Sequence, residues 1–259
     1  MGLCTARLLQ DAGWDVTIYT KDPYRHTTSN VAAGQWSPAS THSSSYVDDR
    51  FLARLDWAAR VAHHAYSNLV GARYGIRWVE NLELYGSSNI APLDMTFADL
   101  YPYQGILSPG EHPFGDWFVR HTVTMQINPG AFLRQVIADF RAAGGRFEVR
   151  TFNNVASILS LGEDVIFNCT GLGSAALFDD EDLVPAKGQL VLLPPDPAVD
   201  YMTIGGGDPG VRGFLHLFSR TDAIVLGGYF KRGDYSSNIE PEHTERIVEQ
   251  HRKLFADFG

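Results

Sequence analysis

Apolar residues in four stretches of the chain recur every three or four positions, which is the period of an amphipathic helix. Pro129 stands at the start of the third stretch and Gly144 follows its end, as is typical of helix boundaries. The first stretch is closed in the same way by Gly13. The pattern predicts helices over residues 1–13, 47–74, 128–143 and 241–258.

Other stretches alternate between apolar and polar positions, which is the period of a β-strand. A short apolar run that begins at Val165 differs, because it is bounded by a Thr-Gly turn and is typical of a strand buried in a parallel sheet. A helix is expected to begin near Ser174, just after that turn. Two of the alternating stretches, 78–85 and 117–125, alternate in the manner of antiparallel strands. The other predicted strands are 14–19, 187–193, 214–218 and 223–230, and the last two are expected to form a hairpin.

The first helix, its closing glycine and the strand after it have the order of the second half of a β-α-β unit. A complete unit would begin with a strand and a G-x-G-x-x-G turn, which presents the helix start to a pyrophosphate. Gly2 can only be the last glycine of such a turn, so we expect that the chain is truncated at its N-terminus. Asp22 follows the strand at the position where a dinucleotide fold places an acid on the adenosine ribose. A solvated turn carboxylate is the alternative reading of Asp22.

The stretch from His26 to Pro38 reads H-T-T-S-N-V-A-A-G-Q-W-S-P and combines consecutive hydroxyl side chains with small residues. Hydroxyls and exposed N–H groups donate hydrogen bonds, and the Ala-Ala-Gly sequence lets the backbone approach a flat or phosphorylated ligand. An ordinary polar surface loop is the alternative interpretation. The position of the stretch, after a helix and strand that resemble a dinucleotide fold, favours ligand binding.

Composition limits the classes of function. The chain has 259 residues, enough for one large or two modest domains, and its formal net charge of -9 argues against wrapping a nucleic acid. Cys4 and Cys169 are too few for a disulfide framework, which fits a reducing, cytoplasmic location. No membrane span or signal peptide is evident in the sequence. His63 and His64 are adjacent on a predicted helix and diverge, so we expect no metal site there.

Four segments together resemble the D-amino-acid oxidase family of FAD enzymes. The most specific pair of strings is T-S-N-V-A-A-G-Q-W, within the hydroxyl-rich stretch, and N-C-T-G, after the apolar run. The segments occur in the order expected of the family and span nearly the whole chain. They are residues 2–3, 27–38, 165–171 and 226–233.

The resemblance implies an α/β fold of two interleaved parts. One is a doubly wound, Rossmann-like FAD-binding part, and the other is a substrate-binding part on an antiparallel or mixed sheet. Residues 1–46, 128–190 and 240–259 would form the FAD-binding part, with its first strand missing and its last segment incomplete. Residues 47–127 and 191–239 would form the substrate-binding part.

The resemblance also implies which residues contact FAD. Lys21 and Asp22 would lie near the adenosine ribose, and Phe152 and Thr170 would approach the adenine half. The hydroxyl-rich stretch would line the pyrophosphate and the flavin. The residues expected to contact the cofactor are Gly2, Leu3, Lys21, Asp22, Thr27, Thr28, Ser29, Ala33, Gly34, Gln35, Phe152 and Thr170.

Two departures from the family bear on the substrate. Family oxidases tend to have tyrosines in the strand where this chain has Phe214 and Phe218, which are expected to share one strand face and border the pocket. Phenyl rings offer area but no hydrogen-bond donor, so they favour an apolar substrate side chain. The family's carboxylate-binding arginine and C-terminal flavin loop belong to segments that this sequence does not contain. Arg212 and Arg220, which flank the candidate strand, are interpreted as surface charges.

The resemblance implies oxidation of a D-amino acid by molecular oxygen, which gives a 2-oxo acid, ammonia and hydrogen peroxide. It implies no side-chain catalytic base and no metal, and partners that are small molecules rather than nucleic acid or membrane. The sequence is compatible with a homodimer. One alternative is a related flavoenzyme, such as a glycine or sarcosine oxidase or a D-amino-acid dehydrogenase. Others are a flavin-binding module without activity and a nicotinamide-dependent dehydrogenase, although no hydride-site acid or base is evident.

Overall fold

The computed structural model describes residues 1–38, 47–86, 95–206 and 215–256. Its helices are α1 (Gly2–Asp11), α2 (Thr28–Val31), α3 (Asp49–Ser67), α4 (Pro129–Ala142), α5 (Val155–Leu159), α6 (Gly173–Phe178) and α7 (Pro241–Phe255). Its strands are β1 (Thr17–Thr20), β2 (Ile76–Tyr85), β3 (Gln104–Leu107), β4 (Phe118–Ile127), β5 (Arg146–Val149), β6 (Ala186–Leu193), β7 (Met202–Gly205), β8 (His216–Ser219) and β9 (Ile224–Arg232). The four helices predicted from periodicity are therefore confirmed as α1, α3, α4 and α7.

The chain divides into two compact units. The first unit comprises Met1–Ala32, Pro129–Lys187 and Lys231–Ser237. The second unit comprises Ala33–Asn128, Gly188–Phe230 and Asn238–Gly259. The segment after Ala32 and helix α7 thus lie in the second unit, whereas the resemblance placed them with the FAD-binding part. The functional roles assigned to the segments stay predictions.

The first unit has a two-stranded parallel sheet, in which Thr17 pairs with Arg146 and Thr20 with Val149. Helices α1 and α4 pack against each other, and the Gln10 side-chain amide donates to the Phe140 carbonyl oxygen at 3.0 Å. The Phe140 ring is fully buried and meets the Phe147 ring edge-on, with 5.0 Å between centroids. Burial of this apolar surface is the main stabilising contribution between α4 and β5.

The predicted buried strand beginning at Val165 is wrong. Residues 165–170 have no regular secondary structure and join no β-ladder in the described part of the chain. Val165, Ile166 and Phe167 are 48%, 42% and 51% exposed. An apolar run shows that a segment can be buried in a sheet, but a strand also needs a neighbour for its backbone hydrogen bonds, and β1 and β5 pair only with each other. The helix predicted to follow is confirmed as α6.

The second unit is built on a seven-stranded sheet with the order β3-β4-β2-β7-β8-β9-β6. The two stretches predicted as antiparallel strands are confirmed as β2 and β4, which pair with each other over their full length, from Ile76 opposite Ile127 to Tyr85 opposite Phe118. Strand β7 then pairs parallel with β2, and β8 and β9 form the predicted antiparallel hairpin. The fold class, a mixed α/β protein with both parallel and antiparallel strand pairs, is confirmed.

The strand register gives the seven-stranded sheet two different faces, because directly paired residues point to the same side. One face, which we call the Phe218 face, carries a cluster of buried apolar side chains: Val79, Met202, Phe218 and Val225. The opposite face packs against α7 through Ile247 and Leu254. Among the described residues, no helix is both long and apolar enough to cross a membrane.

We expect Phe140→Ala to lower the free energy of unfolding by about 3 to 5 kcal/mol, because the ring is fully buried and its removal leaves a cavity. Urea unfolding followed by circular dichroism measures the change. Leu159→Ala is the control, since Leu159 is 72% exposed and its truncation should change stability by less than about 0.5 kcal/mol. Equal losses in the two variants would contradict the assignment of Phe140 to the core.

Candidate functional site

The first unit gathers the residues expected on the adenine half of FAD at one edge of its sheet. Lys21 and Asp22 follow β1, and Phe152 follows β5, so the parallel pairing brings both segments to the same end. The Phe152 ring meets the Tyr19 ring edge-on at 5.8 Å, and the Arg150 guanidinium lies 5.0 Å from its centroid. Ligands bind at the carboxyl ends of strands in open α/β sheets. Both segments therefore lie at the end of the strands where open α/β sheets bind ligands.

Helix α1 begins at Gly2 with no capping side chain, so its first N–H groups can meet an anion. A Cβ on Gly2 would lie 3.2 Å from the Cys169 Cβ, which shows that the segment before Thr170 passes very close to the helix start. The Thr170 hydroxyl is held there by Asn168 at 2.8 Å and Ser174 at 2.8 Å. The structure thus brings Gly2 and Thr170 together, although they are far apart in sequence. Leu3 is half-buried on the first turn of the same helix.

The hydroxyl-rich stretch contains a short helix rather than only a loop. Thr27 donates its hydroxyl to the Tyr24 carbonyl oxygen at 2.7 Å, so this group is used locally. Thr28 and Ser29 begin α2 and are exposed. These two hydroxyls, with the uncapped start of α1, give the first unit donors that fit a phosphorylated dinucleotide such as FAD.

The rest of that stretch belongs to the second unit and lies along the end of β4. The Ile127 N–H donates to the Gly34 carbonyl oxygen at 2.9 Å, and Gln35 forms an antiparallel bridge with Gln126. Gly34 has a φ of +80°, which favours glycine. Ala33 packs against the apolar cluster that contains Phe218. The Phe218 face therefore carries Ala33, which is expected to contact the flavin, next to the cluster of Phe218, which is expected to contact the substrate.

The two phenylalanines expected to line the substrate pocket have different outcomes. Phe214 lies outside the described residues. Phe218 is 6% exposed and packs against Val79, Met202 and Val225, so it contributes to the core of the second unit. Its role in substrate binding stays a prediction.

The polar side chains of β2 and β4 on the Phe218 face were not predicted from the sequence. Glu83 accepts a hydrogen bond from the Tyr85 hydroxyl at 2.8 Å and pairs with Arg120 at 3.2 Å. Burial, followed by the charge of Glu83, raises the pKa of Tyr85 to about 12, so this hydroxyl remains a donor over the physiological range. Asn81 is 1% exposed and donates to Thr122 at 3.3 Å. Polar residues at every second position of a buried strand were the available signal.

Arg77 and Gln126 are a second missed pair on this face, directly opposite each other in the β2–β4 register. The Arg77 Nε donates to the Gln126 Oε1 at 3.0 Å. The guanidinium also donates to the carbonyl oxygen of Ser219 and to its hydroxyl, at 2.8 Å for the hydroxyl. Arg77 therefore contacts β8 at Ser219, the residue that follows Phe218.

Arg220 was interpreted as a surface charge, and this is wrong. Its side chain is 5% exposed and donates to both carboxylate oxygens of Asp222, at 2.8 and 2.6 Å. The hydrogen bonds from Arg220 hold the pKa of Asp222 below its ordinary value. Arg212 lies outside the described residues.

Comparisons with known proteins find similarity to several amino-acid oxidases. The chain is 28% identical over 249 residues to a D-amino-acid oxidase of Rubrobacter xylanophilus, which covers 95% of this chain and 72% of that protein. It is 24% identical over 260 residues to the D-aspartate oxidase of Homo sapiens, covering 95% and 69%. The glycine oxidase of Geobacillus kaustophilus has the same fold, with a TM-score of 0.74, 16% identity, and coverage of 99% and 76%.

The family match is complete along the sequence. Residues 1–259 match the DAO family, described as FAD dependent oxidoreductase. FAD is the cofactor of this family, and the uncapped start of α1 and the hydroxyls of α2 fit it. The protein belongs to the DAO family of FAD-dependent oxidoreductases, whose members include amino-acid oxidases.

Proposed function

We propose that this protein is a D-amino-acid oxidase. The reaction would convert a D-amino acid, molecular oxygen and water into a 2-oxo acid, ammonia and hydrogen peroxide. The observation that carries the proposal is the 28% identity to two bacterial D-amino-acid oxidases over at least 95% of the chain. The Phe218 face supports it, since it combines small residues of the hydroxyl-rich stretch with an apolar wall.

The residues of the first unit would hold the dinucleotide. Gly2 and Leu3 offer the N–H groups at the start of α1 to the pyrophosphate, and Asp22 accepts from the ribose hydroxyls. Phe152 covers the adenine half. When bound, FAD supplies the two-electron acceptor that takes a hydride from the α-carbon of the amino acid and is reoxidised by oxygen.

The residues of the second unit would shape the reaction space. Ala33 and Gly34 have little or no side chain, so a flat ring system can approach their backbone closely. The apolar cluster around Phe218 excludes water, which strengthens every hydrogen bond and ion pair formed beside it. Positioning and water exclusion are the contributions that such a wall makes to a hydride transfer.

Glycine or sarcosine oxidation is the second candidate. It is favoured by the similarity of fold to a glycine oxidase over 99% of this chain. A D-amino-acid dehydrogenase would differ in passing electrons to an acceptor other than oxygen. A flavin-binding module would retain FAD and turn over neither class of substrate.

We expect the FAD-loaded protein to release hydrogen peroxide with D-amino acids and not with their L-isomers. A peroxidase-coupled assay with D-alanine, D-aspartate, glycine and sarcosine measures this directly. Higher kcat/KM for glycine and sarcosine than for any D-amino acid would favour the second candidate. FAD retention without peroxide release from any of these substrates would contradict both oxidase proposals.

We expect Gly34→Val to abolish FAD retention, because a branched side chain at φ +80° strains the backbone and blocks the approach of the ligand. Gly13→Val is a matched control, since Gly13 has a φ of +87° and its added Cβ would meet nothing within 4 Å. The ratio of flavin absorbance to protein absorbance after purification measures retention. Equal retention in both variants would show that Gly34 does not contact the cofactor.

Phe218→Tyr tests whether the Phe218 ring borders the substrate. If it does, the protein folds and its preference among D-amino acids shifts away from bulky apolar side chains, because the pocket gains a hydroxyl. If the ring is only part of the core, the buried hydroxyl lowers the free energy of unfolding by about 1 to 3 kcal/mol and leaves kcat/KM ratios unchanged. Urea unfolding and substrate profiles of the same preparation separate these outcomes.

A further inference from the structure

Arg77 is a charged side chain on the Phe218 face whose guanidinium bonds only to neutral acceptors in the described part of the chain. Those acceptors are the Gln126 amide oxygen and the carbonyl and hydroxyl oxygens of Ser219. Burial lowers the pKa of the Arg77 guanidinium, and the charge of Asp200 offsets only part of this effect. Two other arginines of the second unit have carboxylate partners: Arg120 pairs with Glu83 and Arg220 with Asp222. Arg77 is thus a half-buried cation that forms no ion pair within 4.0 Å among the described residues, although the charge of Asp200 acts on it from farther away.

Gln126 adds a second unsatisfied group beside this cation. Its Oε1 accepts from Arg77, which fixes the orientation of the amide and makes Nε2 the remaining donor. Gln126 is 2% exposed, and its Nε2 has no hydrogen-bond partner among the described residues. A buried donor without an acceptor costs about 1 to 3 kcal/mol, so a ligand that accepts a hydrogen bond from Gln126 would remove this cost.

The position of the pair relates it to the proposed pocket. Gln35 bridges to Gln126, so the side chains of Gln35, Gln126 and Arg77 follow one another across the same face of the sheet. Val79 is the next residue of β2 on this face and packs against Phe218. The three polar side chains therefore border the apolar wall at which the substrate is expected.

We propose that Arg77, with Gln126 and Gln35, forms an anion subsite that takes the side-chain carboxylate of an acidic D-amino acid. The inference rests on the proposed function and names its substrate class. All the groups available at this row are donors or can present a donor, and a carboxylate is acceptor-only, so the two are complementary. An uncharged side chain would leave the guanidinium without an anion. This assignment reverses the apolar preference expected from Phe214 and Phe218 alone.

The same donors could instead contact the cofactor, and the two roles have different consequences. If the donors bind the substrate side chain, replacing Arg77 lowers kcat/KM for acidic D-amino acids and leaves it unchanged for D-alanine. If they contact the flavin, the same replacement lowers FAD retention and lowers kcat/KM for all substrates alike. A purely structural role for Arg77, through its bonds to Ser219, lowers stability without changing the ratio between substrates.

The test compares kcat/KM for D-aspartate, D-asparagine and D-alanine, since the first two differ in charge but hardly in size. Wild-type protein is expected to prefer D-aspartate over D-asparagine by about tenfold or more, because charge-assisted hydrogen bonds are the stronger ones. Arg77→Met is expected to remove that preference and to leave D-alanine within about threefold of wild type. Arg77→Lys keeps the charge without the planar fork and should retain part of the preference.

Arg60→Met is the matched control, because it removes the same charge from α3, where Arg60 pairs with Asp56 and Asp99. It should leave the D-aspartate preference at the wild-type value. Activity on D-alanine without any preference for D-aspartate over D-asparagine in wild type would overturn the subsite and leave the proposed function intact. Loss of FAD from Arg77→Met, with Arg60→Met unaffected, would overturn it in favour of a cofactor contact.

Calorimetric titration with succinate and with succinamide keeps the inference testable without turnover. The dicarboxylate should bind wild-type FAD-loaded protein and bind Arg77→Met at least about tenfold more weakly, and the diamide should bind neither well. If no D-amino acid is oxidised, the proposed function fails, and this titration still decides whether an anion site exists. Equal succinate affinity in wild type and Arg77→Met would overturn the subsite.

Discussion

The ten-residue antiparallel pairing of β2 with β4 is the constraint on which the candidate site depends. A shift of this register by one residue would move every side chain of a strand to the other face of the sheet. In the observed register, Arg77 stands opposite Gln126 and Glu83 opposite Arg120, all on the face that carries Phe218. The opposite face is apolar where α7 covers it. One strand pairing thus separates a face with polar side chains at β2 and β4 from the side of the sheet that is packed by a helix.

The hydroxyl-rich stretch runs from the first unit into the second, and its two halves differ in the residue types they contain. Its first half supplies exposed hydroxyls at the start of α2 in the first unit. Its second half has Ala33 and Gly34, which are small enough to lie against the apolar cluster and the end of β4 in the second unit. Hydroxyls suit phosphate oxygens, and a nearly bare backbone suits a flat ring. The two halves therefore offer chemically different surfaces.

Three buried or half-buried arginines of the second unit differ in the groups that accept their hydrogen bonds. Arg120 and Arg220 are each compensated by a carboxylate within 3.2 Å, and the pKa of Asp222 is held low by its partner. Arg77 instead donates from Nε and Nη2 to an amide, a carbonyl and a hydroxyl oxygen, which do not neutralise its charge. Placing a charge away from water is costly unless an anion is bound at least part of the time. This difference separates structural ion pairs from a site that suits a ligand.

The sequence by itself determined the helices, the alternating strands, the family and its cofactor. These features rest on local periodicity and short strings, which act over a few neighbouring residues. Only the tertiary structure decided that Gly2 lies against Cys169 and that Arg77 lies against Gln126, 49 positions away. It also decided that Val165 to Phe167 are exposed and that Arg220 is buried. Such outcomes depend on which distant segment supplies a hydrogen-bond partner or a counter-charge, and no periodic pattern within one segment contains that information.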